Sequence, residues 1–329
     1  MSAQNIAADR RRPILSPQNL SKIGVVIALV ALTLFGWLRY DNFISSYNIL
    51  SFLQYNSMFA LISLGMCFVI ITGGIDLSVG GVAALGSVVA AYASGHGLVA
   101  GVAAGVGAGL LVGIVNGLIV TRLNIAPFIA TLATMLAAYG SALLLAGNQS
   151  VSVSWDTAFI EFGQGSLLGF PIPGWVMIAA FIAGWIVLEQ LPTGRRVLAV
   201  GGGEDAAMLM GLNVRRLKLG VYAASGALAG LAGVILAAQF GAGQPTEGVG
   251  WELFAIASVV VGGTLLSGGV GSVGATLAGA LLLALLFNLL NFENGKGWIS
   301  LSAYWQSVIR GVFLLIFVLI QAKLAREPE

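Results

Sequence analysis

Thr72-Gly-Gly-Ile-Asp-Leu-Ser-Val-Gly80 breaks an otherwise apolar run, with 51–72 before it and 78–94 after it. A helix needs about 20 mainly apolar residues to cross the hydrocarbon core of a bilayer. Both flanks approach that length, so the break and its single carboxylate, Asp76, fall between two membrane spans. An ionised side chain at membrane depth costs about 2.5–3.5 kcal/mol on insertion scales. Asp76 therefore needs a partner, a water-filled cavity or a place near the interface. Two roles stay open for it: lining a translocation path beside a broken helix, or capping the next helix by accepting free backbone N–H groups near Val79.

The same length rule, applied outward, gives ten expected spans: 23–39, 51–72, 78–94, 98–120, 125–146, 173–189, 218–240, 252–266, 271–291 and 304–322. The composition agrees. Hydrophobic residues make up 58% of the 329 and charged residues only 9%, whereas a soluble domain carries about 25% charged residues. The expected fold is all-α, a polytopic membrane helix bundle of about ten transmembrane helices with Gly-rich broken helices. A net charge of +2 leaves no basic face for a phosphate backbone, so no nucleic-acid partner is expected.

Lys and Arg placement sets the expected orientation. With the N-terminus inside, twelve of the fifteen basic residues fall on the cytoplasmic side, and only Arg39 and Lys296 fall opposite. Arg310 lies within the last span. Both termini are then cytoplasmic, which requires an even number of crossings. The chain divides into a cytoplasmic segment 1–22, one transmembrane domain 23–322 holding a cytoplasmic loop 190–217, and a tail 323–329. Arg10–Arg12 precede the first span, but no small-residue cleavage site follows closely, so an uncleaved first helix is expected.

Glycines 101, 105, 109, 113 and 117 recur every four residues along the fourth span. They make a smooth stripe for close approach by another helix, and Gly226, Gly230 and Gly233 serve the seventh span in the same way. Thr72–Gly80 also resembles Val261–Gly269, matching at Gly73/Gly262, Gly74/Gly263, Leu77/Leu266, Ser78/Ser267 and Gly80/Gly269. Paired broken helices in two halves point to a substrate path.

Catalytic chemistry has little to build on. Cys67 and His96 are the only residues of their kinds. No His, Cys and carboxylate spacing suits a metal, and no lysine follows a phosphate-cradling Gly loop. Gly269-Val-Gly-Ser-Val-Gly274 reads as a dinucleotide fingerprint, but the apolar run after it marks a span and tight packing instead. Neither catalytic nor metal-binding residues are expected. Candidates for the substrate path are Asp76, Ser78, Asn116, Gln244, Glu252 and Asn288. Inter-helix hydrogen bonds would use the same residue types. Arg310 is expected to pair with Glu252 or Asp76 as a structural charge.

The phrase Thr72–Gly80 resembles the hallmark of permease subunits of bacterial sugar ABC importers, the ribose/xylose/galactose branch. The likeness continues in order through Asn116–Val120, Pro127–Leu132, Thr193–Arg195, Gly201–Ala207, Gly211–Val214, Gln244–Thr246, Glu252–Ala257 and Val261–Gly269. Thr264–Gly271 with Asn291-Phe292 is similar to permeases for furanose sugars such as galactofuranose. Gly81 departs from the Ser more usual there.

The resemblance implies a type II importer-like permease of the bacterial inner membrane. It would pair with a second permease copy or a related subunit, a cytoplasmic ATP-binding subunit that holds ATP and Mg²⁺, and a periplasmic sugar-binding protein, all amid membrane lipid. This chain would then hold no cofactor. Gly203, Glu204, Asp205, Ala206, Ala207 and Gly211 would form the segment coupling to the ATPase, because a short cytoplasmic helix can seat in a groove of a soluble partner. The expected function is passage of a monosaccharide, pentose or hexose. The rival is a stand-alone secondary transporter using Asp76 as its coupling-ion site. A membrane-embedded enzyme is disfavoured for want of a catalytic set.

Overall fold

The structure is a computed structural model that describes residues 17–294 together with 305, 308, 309, 311, 312 and 315. Most of the expected last span 304–322 lies outside the described residues, as do Arg310 and the tail.

Helices α1 (Pro17–Arg39), α2 (Ser46–Ile71), α3 (Val79–Ala93), α4 (Leu98–Arg122) and α5 (Pro127–Ala146) follow one another through short turns. Ser45 caps α2 by accepting from the Asn48 N–H at 3.3 Å, and Pro127 opens α5, where a missing N–H costs nothing. After Gly147 the chain makes two small antiparallel pairings. Strand β1 (Val151–Ser152) joins the distant β4 (Ala242–Gly243), and β2 (Ser166–Leu167) joins β3 (Phe170–Pro171). Between them lie α6 (Phe159–Gln164), α7 (Ile172–Trp185, extended by a π turn to Gln190), α8 (Pro192–Gly202), α9 (Glu204–Leu209) and α10 (Val214–Phe240). Helices α11 (Trp251–Val261) and α12 (Val273–Glu293) close the described chain.

Among the described residues seven helices are long and apolar enough to cross a membrane. The expected span 252–266 is instead an eleven-residue helix, α11. At 1.5 Å per residue it covers roughly 16 Å, about half of the hydrocarbon core. Gly262 and Gly263 stop it early. The first expected span, 23–39, falls within α1.

Helix α10 is the hub of the bundle, packed on α2, α3 and α4. The glycine stripe explains how α4 reaches it. Gly101, Gly105, Gly109, Gly113 and Gly117 are all buried. A Cβ on Gly109 would meet the Gly226 carbonyl and stand 2.8 Å from Gly230 Cα, and one on Gly117 would stand 2.9 Å from Leu219 Cα. Gly233 on the same helix meets Ala83 and Ser87 of α3. Backbone-to-backbone packing of this kind supplies the dispersion contact that holds helices together in lipid.

The two Gly-Gly breaks share a cap, in a register one residue away from the sequence match. After α2, Gly73 N–H donates to Ile70 O (2.9 Å) and Gly74 N–H to Val69 O (3.1 Å). After α11, Gly263 N–H donates to Val260 O (2.8 Å) and Thr264 N–H to Val259 O (3.2 Å). The left-handed residue is Gly73 (φ +77°) in one and Gly263 (φ +86°) in the other. This motif needs positive φ just after the cap. Thr72 therefore matches Gly262, and Gly73 matches Gly263. Identical letters aligned the first glycines of each pair, but the cap aligns a first with a second.

Candidate functional site

The break after α2 is organised around Asp76, which is fully buried. Its Oδ1 accepts from the Ser78 N–H (3.0 Å) and hydroxyl (2.6 Å), and its Oδ2 accepts from the Ser225 hydroxyl of α10 (2.9 Å). Ser78 Oγ in turn accepts from Asn116 Nδ2 on α4 at 2.8 Å, and Asn116 Oδ1 accepts from Thr134 on α5 at 2.6 Å. The relay ties four elements to one carboxylate. The Asp76 carboxylate reaches forward to the Ser78 N–H, next to Val79, as the capping role requires. Leu77 N–H donates to Thr131 Oγ1 of α5 at 3.1 Å, which holds the extended break against that helix. Of the expected path residues, Asp76, Ser78 and Asn116 thus form one buried network with no exposed surface.

Gln244, Glu252 and Asn288 lie elsewhere. The Gln244 backbone N–H donates to Ser87 Oγ of α3 at 3.0 Å, and its side-chain oxygen accepts from Ser150 at 3.0 Å. Glu252 sits in the first turn of α11, where the helix dipole favours an anion. Its Oε2 has no hydrogen-bond partner among the described residues, and neither has Tyr139 Oη. Both atoms stand 3.0 Å from the point a Cβ on Gly80 would occupy. There the first turn of α3 packs against Gly248 ahead of α11. Arg310, the partner expected for Glu252, lies outside the described residues.

Asn288 lines a cavity of about 680 Å³ between α2, α11 and α12. Its wall mixes ring faces with amides. Phe59 stands 4.7 Å from Trp251 and 4.8 Å from Phe254 between ring centroids, and Phe254 stands 5.7 Å from Phe287. Asn48 and Asn288 exchange hydrogen bonds at 3.2 and 3.4 Å across the cavity side, and Asn56 and Asn291 complete the amide set. A concave pocket that sets a few placed polar groups among aromatic side chains is a common form of small-molecule site. Such ring faces can stack on the carbon side of a polyhydroxylated solute, and such amides can serve its hydroxyls as both donor and acceptor. Asn288 is legible from the sequence as a polar residue at depth, but Trp251, Phe59 and Phe254 are not legible as lining residues. An aromatic inside an apolar span reads as core, and only packing shows which rings border space.

The segment 190–217 is mostly helical, with α8 and α9 joined at Gly203. Within the expected coupling set Gly203, Glu204, Asp205, Ala206, Ala207 and Gly211, only Ala207 is buried, against Val200 and Val214. Glu204 pairs with Lys218 at the start of α10, and Gly211 takes a left-handed φ of +81°. The exposed carboxylates and the chain reversal at Gly211 leave α9 presented outward.

Residues 48–319 match the family described as "Branched-chain amino acid transport system / permease component". The ribose import permease of Bacillus subtilis (strain 168) is 42% identical over 307 residues, covering 92% of this chain and 94% of that protein. The ribose import permease of Escherichia coli (strain K12) is 40% identical over 332 residues, covering 98% and 99%. An L-arabinose ABC transporter permease of Azospirillum brasilense is 34% identical over 304 residues, covering 92% and 88%. No solved structure matches the chain.

Proposed function

The chain belongs to this family of transport-system permease components, and from that premise we propose that it is the membrane-spanning subunit of an ATP-driven sugar importer. The observation that carries the reading is near full-length likeness to permeases named for ribose and arabinose import. A monosaccharide, pentoses first, is the cargo, and the amide- and ring-lined cavity between α2, α11 and α12 is its place in this subunit.

The subunit sits in the bacterial inner membrane with both termini cytoplasmic, following its Lys and Arg bias. Ten crossings satisfy that orientation when α1, α11 and the segment 304–322 are counted with the seven long helices. A second permease subunit completes the path, a periplasmic binding protein delivers sugar, and a cytoplasmic subunit binds ATP and Mg²⁺. This chain holds no cofactor. ATP binding shifts the pair of permeases between inward- and outward-facing states, and α8–α9 carries the change.

The test is recovery of tagged protein from its native membrane in mild detergent, with partners identified by mass spectrometry. An ATP-binding subunit and a periplasmic sugar-binding protein are expected among them. Sugar uptake into vesicles that proceeds without ATP and without any ATP-binding subunit would instead establish the secondary transporter.

A further inference from the structure

The C-terminus of α8 lies against both helix breaks at once. The Ile71 carbonyl at the end of α2 has no partner within its own helix and accepts from Gly269 N–H of the second break at 2.9 Å. Gly201 of α8 backs onto the same pair: a Cβ there would overlap the Ile71 carbonyl oxygen and the Gly269 nitrogen. The contact continues on either side. A Cβ on Gly268 would stand 3.0 Å from both Gly73 N and Ile71 O and 3.1 Å from Gly201 O, and one on Gly269 would stand 2.9 Å from Gly202 Cα. Gly73, Gly268 and Gly269 all have positive φ, +77°, +86° and +77°, so the turns that meet here need glycine for conformation as well as for space.

We propose that Gly201, Ile71 and Gly269 form the joint through which movement of the α8–α9 segment reaches both helix breaks. The proposal rests on the importer reading above, in which α9 seats on the ATPase. Only hydrogens separate α8 from the Ile71 carbonyl, so a displacement of α8 has no side chain to absorb it and passes directly to the end of α2. The hydrogen bond to Gly269 passes it on to the segment leading into α12. α9 also reaches α10 through the Glu204–Lys218 pair. Movement at the segment is thereby delivered to α2, α10 and α12 together, and α2 and α12 are two of the cavity's walls.

Neighbouring glycines provide the test, because a Cβ on Gly202 meets nothing within 4 Å. The full complex of permease, ATPase and binding protein would be reconstituted in liposomes as wild type, Gly201→Ala and Gly202→Ala. Sugar transported per ATP hydrolysed is expected to fall at least tenfold in Gly201→Ala, with the ATPase still co-purifying, and to stay within twofold of wild type in Gly202→Ala. Equal ratios in the two variants, or loss of the ATPase subunit from Gly201→Ala, overturn the joint and leave the importer reading standing. A wild-type protein that recruits no ATPase overturns both.

Wild-type hydrogen exchange gives a second readout that does not depend on a variant folding. On adding a non-hydrolysable ATP analogue, peptides spanning 68–76 and 262–272 are expected to change protection together. A change in one alone overturns the joint.

Discussion

Ser225 on α10 donates its hydroxyl to Asp76 Oδ2 at 2.9 Å, so the break after α2 is anchored to the central helix by residues 149 positions apart. Together with the Ser78 N–H and hydroxyl this makes the carboxylate an acceptor hub inside the subunit.

Replacing that hub separates two readings of Asp76. Asp76→Ala leaves the Ser78 N–H and the Ser78 and Ser225 hydroxyls buried without their acceptor, at about 1–3 kcal/mol each. A clear fall in the thermal unfolding midpoint in detergent is expected. Asp76→Asn keeps an acceptor oxygen toward Ser78 and offers an N–H to Ser225, so it is expected to retain most of the stability and measurable sugar uptake. Abolished uptake in an Asp76→Asn protein of normal stability would favour a coupling-ion carboxylate.

The α4–α10 seam makes a sharper steric prediction. Gly109→Val forces branched carbons into the Gly226 carbonyl and the Gly230 backbone, and overpacking of this kind costs about 1–3 kcal/mol or more. Gly107 lies on the same helix with nothing within 4 Å of its would-be Cβ. Gly107→Ala is expected to leave the unfolding midpoint unchanged or slightly raised, as helix propensity favours Ala by about 1 kcal/mol.

In the cavity, Asn288→Leu removes one partner of the Asn48 pair and an amide from the wall. Initial uptake rates over a sugar concentration series should fall roughly tenfold, a loss of about 1.4 kcal/mol of interaction with sugar. The yield of intact complex on size exclusion should stay near wild type. Unchanged uptake would remove the cavity from the path.

Glu204→Gln takes the charge off the exposed member of a pair whose partner, Lys218, is largely covered, and keeps an acceptor for its ammonium. A pair at the surface contributes about 0–1 kcal/mol to folding, so the unfolding midpoint should move little. Recovery of the ATPase subunit in a pull-down should nonetheless fall severalfold. Equal recovery would move the docking contact away from α9.

Hydropathy and charge placement were sufficient for an all-helical membrane bundle, because each lipid-facing span must carry its own apolar length and satisfy its own backbone. Spacing alone likewise showed the glycine stripe on α4, since a four-residue repeat stays near one helix face. Local signals of this kind are written along the chain. They do not report what a buried polar residue faces. Asp76, Ser78, Asn116 and Asn288 were equivalent as polar residues at depth, yet the first three close on one another and only Asn288 borders the cavity. The length of α11, the register of the two breaks and the meeting of Gly201 with Ile71 and Gly269 were likewise decided by packing. Each depends on which backbones approach within about 3 Å across long stretches of sequence. Composition and periodicity carry no such information, because glycine is equally compatible with a seam, a turn and open space.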